Sequence, residues 1–338
     1  MPGVSARGRD GHVRAHDGQD GVSHSWSDEP ERGSKSALRI IRWIALNLGR
    51  TPARLLLYPI TVYFLFLAPT PRFHSRVYLR RVLSRAVRPW DVARHFHCFA
   101  SVILDRVFLL AGREAEFDVL VHGESVFDEV VAAGRGALLM GSHLGSFEVL
   151  RALAISRKHV NLKVLMFREK TALVTTMLDE LNQDVAATVI DLEQPNALLR
   201  AHEAIQEGTL VGMLADRIAG FDRPVKAEFL GSEAQFPTGP MRLAAILGVP
   251  VILFFGVYSG ANRYHIYFER LSAGETIPRV ERDEWVHWMT LRYVQRLESH
   301  VRRAPYNWFN FYDFWGCETG NSNSGSVDRP SRWWWRRQ

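Results

Sequence analysis

An α/β architecture, with a mostly parallel, mixed sheet flanked by helices, is what this sequence predicts, and three observations carry it. From Phe117 onward, short apolar runs of strand length alternate with helix-length periodic segments, the pattern of a sheet wound through crossover helices. Val251-Ile252-Leu253-Phe254-Phe255 is continuously apolar, as a strand covered on both faces must be. Ala137-Leu138-Leu139-Met140 ends in Gly141, and an apolar-periodic segment starts at Phe147, which reads as strand, sharp turn and helix.

The expected strands are Phe117–Val121, Ala137–Met140, Leu162–Phe167, Thr188–Asp191, Leu210–Leu214, Lys226–Leu230, Val251–Val257 and Tyr264–Phe268. The expected helices are Phe147–Arg157, Thr171–Asn182, Asn196–Gln206, Met241–Leu247 and Asp283–Val301. In the last of these, Trp285, Trp288, Leu291 and Val294 recur at helical spacing and read as core.

At 338 residues the chain has room for one large domain plus appendages. Residues 1–33 are rich in Gly, Ser, Asp, Arg and His and almost devoid of apolar spacing, so they read as a disordered tail without a signal-peptide core. Residues 34–100 read as basic and apolar membrane-associating helices, the first capped by Ser34. Residues 101–316 form the expected α/β domain, and 317–338 a flexible tail ending in Arg332-Trp333-Trp334-Trp335-Arg336-Arg337. That ending is either an interfacial insertion device or a merely sticky terminus.

The formal net charge of +6 is unevenly spread. From Lys35 to Arg94 there are twelve Lys and Arg against a single acid, Asp91, in the same block as the most apolar run. Basic and apolar character together point to an anionic membrane surface rather than nucleic acid. Leu55 to Ala68 is uncharged for 14 residues, yet shorter than the roughly 20 a spanning helix needs, and arginines flank both sides. An interfacial or re-entrant anchor, a span that borrows neighbouring residues and a buried core helix all stay open for it. Cys98 and Cys317 are too far apart to form a metal pair or a disulfide framework, which fits a reducing compartment. No P-loop or GxGxxG fingerprint occurs.

The chemistry concentrates in Gly141-Ser142-His143-Leu144-Gly145-Ser146-Phe147-Glu148. The turn delivers His143 to the lip of a strand and Glu148 to the first turn of a helix. Acyl transfer to an alcohol needs a base near the hydroxyl and donors for the oxyanion. An imidazole titrates near neutrality, and a carboxylate on its other nitrogen fixes the tautomer. Glycines let the backbone approach a substrate, and the helix start offers N–H groups. A His after a strand is equally a polar loop residue, and a Glu in a first helical turn equally a partner of the helix dipole.

Residues 141–151, Gly-Ser-His-Leu-Gly-Ser-Phe-Glu-Val-Leu-Arg, resemble the HX4(D/E) block of lysophospholipid-acyltransferase-like enzymes, and within them the bacterial late lipid A (lauroyl/myristoyl) acyltransferases. Asp216-Arg217, Phe229-Leu230-Gly231, Phe236-Pro237-Thr238-Gly239-Pro240 and Gly248-Val249-Pro250-Val251 are similar to further blocks of that family, over roughly residues 34–316. The ending Pro305-Tyr306-Asn307-Trp308 departs from the usual Pro-Glu-x-Trp and resembles a branch found with aryl-polyene pigment clusters.

The resemblance implies a glycerol-phosphate-acyltransferase-like fold on the cytoplasmic face of the inner membrane. It implies transfer of a fatty or polyene acyl group from acyl carrier protein or coenzyme A to a hydroxyl of a lipid or glycolipid, with no bound cofactor and no metal. His143 would be the general base and Glu148 its orienting carboxylate. Arg168 would bind a phosphate or carboxylate, unless it is a surface arginine. Asp216 would be a supporting or acceptor-binding acid, or the cap of its turn. Arg217 would bind an anion, or lie solvated in its loop. Thr238 and Gly239 would touch substrate or, more simply, shape their loop. The dense aromatics from Trp308 to Trp315 would line an acyl groove or form a lid on the core.

A catalytically inactive lipid-binding scaffold on the same fold is the competing class. A hydrolase is the weaker third option, since no G-x-S-x-G elbow occurs and Ser142 directly precedes His143.

Overall fold

The computed structural model describes residues 35–151, 160–167, 181–218 and 222–316. The tails expected at 1–33 and 317–338 lie outside them, as do Ser34, Arg168, Cys317, the end of the helix expected from Phe147 and nearly all of the one expected from Thr171.

Four helices lead the chain: α1 (Lys35–Leu48), α2 (Arg50–Leu67), α3 (Pro69–Leu83) and α4 (Pro89–Leu110). Proline suits the opening of α3 and α4, where the first N–H groups have no helical partner. The Leu55–Ala68 run forms most of α2, which turns Ala53, Leu57 and Thr61 toward α4. Its other side leaves Leu55, Tyr58, Val62 and Phe66 more than half exposed. A wholly buried core helix is therefore ruled out. No single helix among the described residues is long and apolar enough to cross a membrane, while α2 and α3 together pass that test but bend by 95°.

The sheet has seven strands in the order β1-β9-β8-β2-β5-β3-β4. These are β1 (Asp118–His122), β2 (Ala137–Gly141), β3 (Leu162–Met166), β4 (Val189–Asp191), β5 (Leu210–Leu214), β8 (Val251–Tyr258) and β9 (Arg263–Ser272). Every pairing is parallel except β8 with β9, so the expected mixed, mostly parallel sheet is found. All residues of β2 and β8 are buried, which is why their sequences lack polar alternation. Helices α5 (Glu124–Ala132), α6 (Gln183–Ala187), α7 (Ala197–Gln206), α8 (Gly239–Leu247) and α9 (Arg282–Arg303) complete the fold.

Three differences from the sequence reading have physical causes. The strand expected at Lys226–Leu230 is not in the main sheet; as β6 (Val225–Phe229) it pairs with β7 (Ser232–Phe236) in a separate antiparallel hairpin. Leu230 and Gly231 both take positive φ, 54° and 77°, which matches the right-handed twist of a two-residue hairpin turn. Helix α5 escaped notice because its short apolar set, Val126, Phe127, Val130 and Val131, spans barely two turns. On α9, Val294 is buried and Trp285 and Leu291 pack partly buried against the core as expected, within a stripe that also holds Val286, Met289, Tyr293, Leu297 and Val301, whereas Trp288 faces solvent. Trp288 lies on the outward side of the helix, where the Arg292 guanidinium covers its ring.

Candidate active site

β2 and β5 are adjacent and parallel, with Gly141 opposite Leu214. Two residues beyond each strand come His143 and Asp216, so register alone brings together side chains 73 positions apart. Asp216 grips His143 twice. Its Oδ2 accepts the His143 backbone N–H at 2.9 Å, and its Oδ1 lies 2.8 Å from the ring Nδ1. The indole N–H of Trp308 donates to Oδ2 at 3.1 Å. An ionised carboxylate only accepts, so Nδ1 carries the proton and Nε2 the lone pair. Nε2 has no hydrogen bond among the described residues, and the side chain keeps 19% of its exposure.

Burial by itself raises the Asp216 pKa, but His143, through its charge and its hydrogen bonds, and the nearby Arg217 outweigh that and hold it down to about 2. Burial lowers the pKa of His143, and the Arg217 charge lowers it further against the pull of Asp216. The ring is thus neutral at neutral pH, the form in which Nε2 accepts a proton.

Glu148 is placed differently from expectation. It opens its helix as anticipated, but it makes no hydrogen bond to His143. Its Oε1 lies 2.9 Å from the Arg106 Nη2 on α4 and 3.9 Å from the Arg151 Nη1. The carboxylate holding the imidazole is Asp216. The reason is directional: the turn sends His143 along the strand edge toward β5, while the helix start points Glu148 toward α4.

The turn itself is pinned by backbone contacts. Gly145 N–H donates to Asn307 O and Ser146 N–H to Gly256 O, each at 2.8 Å, so these two amides are already engaged. Gly145 takes φ 74°, and a Cβ there would run into the Gly256 carbonyl, so only glycine fits. Phe309 N–H closes onto His143 O at 2.9 Å, and the Asn307 side chain clamps both backbone groups of Tyr258. Trp308, buried within Phe229, Tyr78 and Phe314, is thereby a wall of the site as well as a donor to Asp216. Trp308, Phe309 and Phe311 are buried, so they belong to the lid rather than to an open groove.

Arg217 donates to Phe309 O at 3.1 Å and stacks over Tyr312, so it is tied to the aromatic segment rather than solvated. Thr238 and Gly239 shape their loop. The Thr238 hydroxyl lies 3.0 Å from Asp222 Oδ1 and 2.8 Å from Arg223 O, and Gly239 N–H reaches Asp222 Oδ2 at 3.0 Å. Asp222 therefore satisfies the start of α8, and among the described residues Thr238 and Gly239 make no hydrogen bond to His143. Among the described residues no group of three His, Cys, Asp or Glu is placed to hold a metal ion.

Arg106 carries no local motif, and nothing in the sequence marks it as the partner of Glu148. Trp308 stood in the sequence among the aromatics expected to line a groove or lid the core and at the tryptophan of the Pro-x-x-Trp ending; its bond to Asp216 was not legible there.

Residues 94–316 match the model of the bacterial lipid A biosynthesis acyltransferase family. A search of curated proteins returned no match.

Proposed function

The chain belongs to the bacterial lipid A biosynthesis acyltransferase family and is an acyltransferase, and we propose that it moves a fatty or polyene acyl group from a thioester donor to a hydroxyl of a lipid or glycolipid acceptor. The single observation behind the chemistry is the neutral His143, anchored through Nδ1 by Asp216, with no hydrogen bond to Nε2 among the described residues. In this reading Nε2 takes the acceptor's hydroxyl proton as its oxygen attacks the thioester carbonyl. The tetrahedral oxyanion is met by N–H groups of the helix start at Glu148. Its collapse breaks the C–S bond, and the departing thiolate takes the proton back from the imidazolium. Asp216 stabilises that imidazolium without being protonated.

Glu148 acts here as a positioning residue: with Arg106 and Arg151 it fixes the helix start behind the turn. Arg168 and Arg217 are candidate contacts for a phosphate or carboxylate of donor or acceptor. The donor is acyl carrier protein or acyl coenzyme A; the basic chain suits an acidic carrier protein. The outward apolar side of α2, set among arginines, supports association with an anionic membrane, and kinship with the family suggests the cytoplasmic face of the inner membrane.

The test is mass spectrometry of lipid extracts from cells carrying the wild-type chain or His143→Ala, with acyl transfer from both thioester donors measured on purified protein. Loss of one acyl group from a lipid class, and a rate drop of about 10³-fold or more, is expected. Wild-type transfer by His143→Ala overturns the base assignment, and unchanged lipids without the chain would favour the scaffold reading.

A further inference from the structure

A cavity of about 590 Å³ opens beside the end of β8, away from His143, walled by α2, α4, the end of α9 and the segment Pro305–Asn307. His143 is not among its lining residues; Asn307 is, with its carbonyl turned to Gly145, so the segment leading into Trp308 divides cavity from active site. The volume falls within the range of about 300–1,000 Å³ typical of small-molecule pockets.

Its charge is one-sided. Arg54, Arg94, Arg303, His97, His265 and His300 line it, and no Asp or Glu does. Arg54 is partly committed: it donates to Ala261 O at 2.8 Å and to the Tyr258 hydroxyl, with Asp105 at 3.9 Å. His300 is taken by Glu269 at 2.8 Å from behind. Arg94 and Arg303 are exposed and form no ion pair among the described residues; Arg94 only lies over the Tyr306 ring. Guanidinium groups that line one cavity and, like those of Arg94 and Arg303, lack an ion-pair partner there offer an anion with several acceptor oxygens charge-assisted hydrogen bonds.

The rim indicates what carries the anion. Tyr58 stacks on His97 with ring centroids 4.8 Å apart and stands more than half exposed. From it an outward apolar stripe runs along α2 through Leu55, Val62 and Phe66. A free anion has no use for such a stripe, whereas a lipid matches both features: a phosphoryl group for the arginines and acyl chains for the stripe. We propose that this cavity is a lipid site separate from the His143 centre, which binds the phosphoryl head group of a membrane phospholipid whose chains lie along the outward side of α2. It seats the protein at the bilayer in one orientation, with the cavity on the side of the sheet where β2 and β8 end and His143 projects.

The test is sedimentation of the full chain with vesicles of phosphatidylcholine alone and of phosphatidylcholine with phosphatidic acid, with inorganic phosphate titrated separately by calorimetry. The variant Arg94→Gln/Arg303→Gln is compared with Lys226→Gln/Arg270→Gln, which removes equal charge outside the cavity. The cavity pair is expected to lose about ten- to a hundredfold in affinity for phosphatidic acid vesicles while the other pair stays near wild type. Equal losses in both pairs overturn the site in favour of diffuse attraction to the surface, and so does wild-type binding by the cavity pair. Inorganic phosphate that binds as tightly as the vesicles, and in an Arg94-dependent way, overturns the lipid source. Neither measurement involves acyl transfer, so the result is independent of the His143 chemistry.

Discussion

Asp216 and Glu148 are two carboxylates beside the His143 turn, and they do opposite things. Asp216, far away in sequence, reaches the imidazole through strand register and bonds its ring, its backbone and the Trp308 indole at once. Glu148, five residues from the histidine, faces two guanidinium groups and leaves the ring alone. Nearness along a chain that passes from strand to helix says little about nearness of side chains, because the turn redirects them. Two residues at matched positions past parallel neighbours are nearly forced to meet.

Substitutions can separate these two roles. The largest effect is expected for Asp216→Asn, which keeps the shape but lets the wrong tautomer form; kcat/KM should fall by about 10⁴-fold with little change in folding. If steady-state kinetics show a loss no larger than that of Glu148→Gln, the assignment of Asp216 as the ring's anchor fails. Glu148→Ala leaves Arg106 and Arg151 without their shared acid in a mostly buried position. Thermal or urea unfolding should then report about 3 kcal/mol of lost stability, with a smaller loss of rate than at Asp216. Trp308→Phe removes one hydrogen bond to a charged group and should cost about 1.5–3 kcal/mol by the same unfolding measurement.

The smallest effect lies in pH dependence. Because burial and Arg217 lower the His143 pKa, the acid limb of kcat/KM should fall below the ordinary histidine value of about 6.5. Arg217→Gln removes one of the lowering influences, so the limb should move up toward that value. The same shift makes the protein less stable as pH falls from about 6.5 through the lowered value, since the unfolded chain accepts a proton that the folded one resists. A limb that stays in place in Arg217→Gln would show that the guanidinium does not act on the ring.

Much of the architecture was legible in the residues. The apolar runs of β2, β5 and β8 declared buried parallel strands, and Gly141 with Gly145 declared the turn. The hairpin partner β7 was not legible, because Ser232-Glu233-Ala234-Gln235 carries no large apolar side chain and its pairing depends on the positive φ of Leu230 and Gly231. The outward apolar side of α2 was visible as composition, but which residues faced out depended on α4 packing against the other side. Asp216 stood out as an acid after a strand and through the resemblance of Asp216-Arg217 to a family block, with capping as an equal explanation, and nothing in the sequence paired it with His143.

The strand, the glycine turn and the placement of a histidine at the strand lip were therefore written locally, since they need only the chain on either side, and the resemblance of that block pointed to the acyltransferase family. Which carboxylate holds that imidazole, which indole supports the carboxylate and which arginines line one cavity were settled by packing. Those contacts join β2 to β5, the Trp308 segment to both, and α2 and α4 to the end of α9. Long-range geometry of this kind comes from register and burial between distant elements, which no stretch of sequence holds on its own.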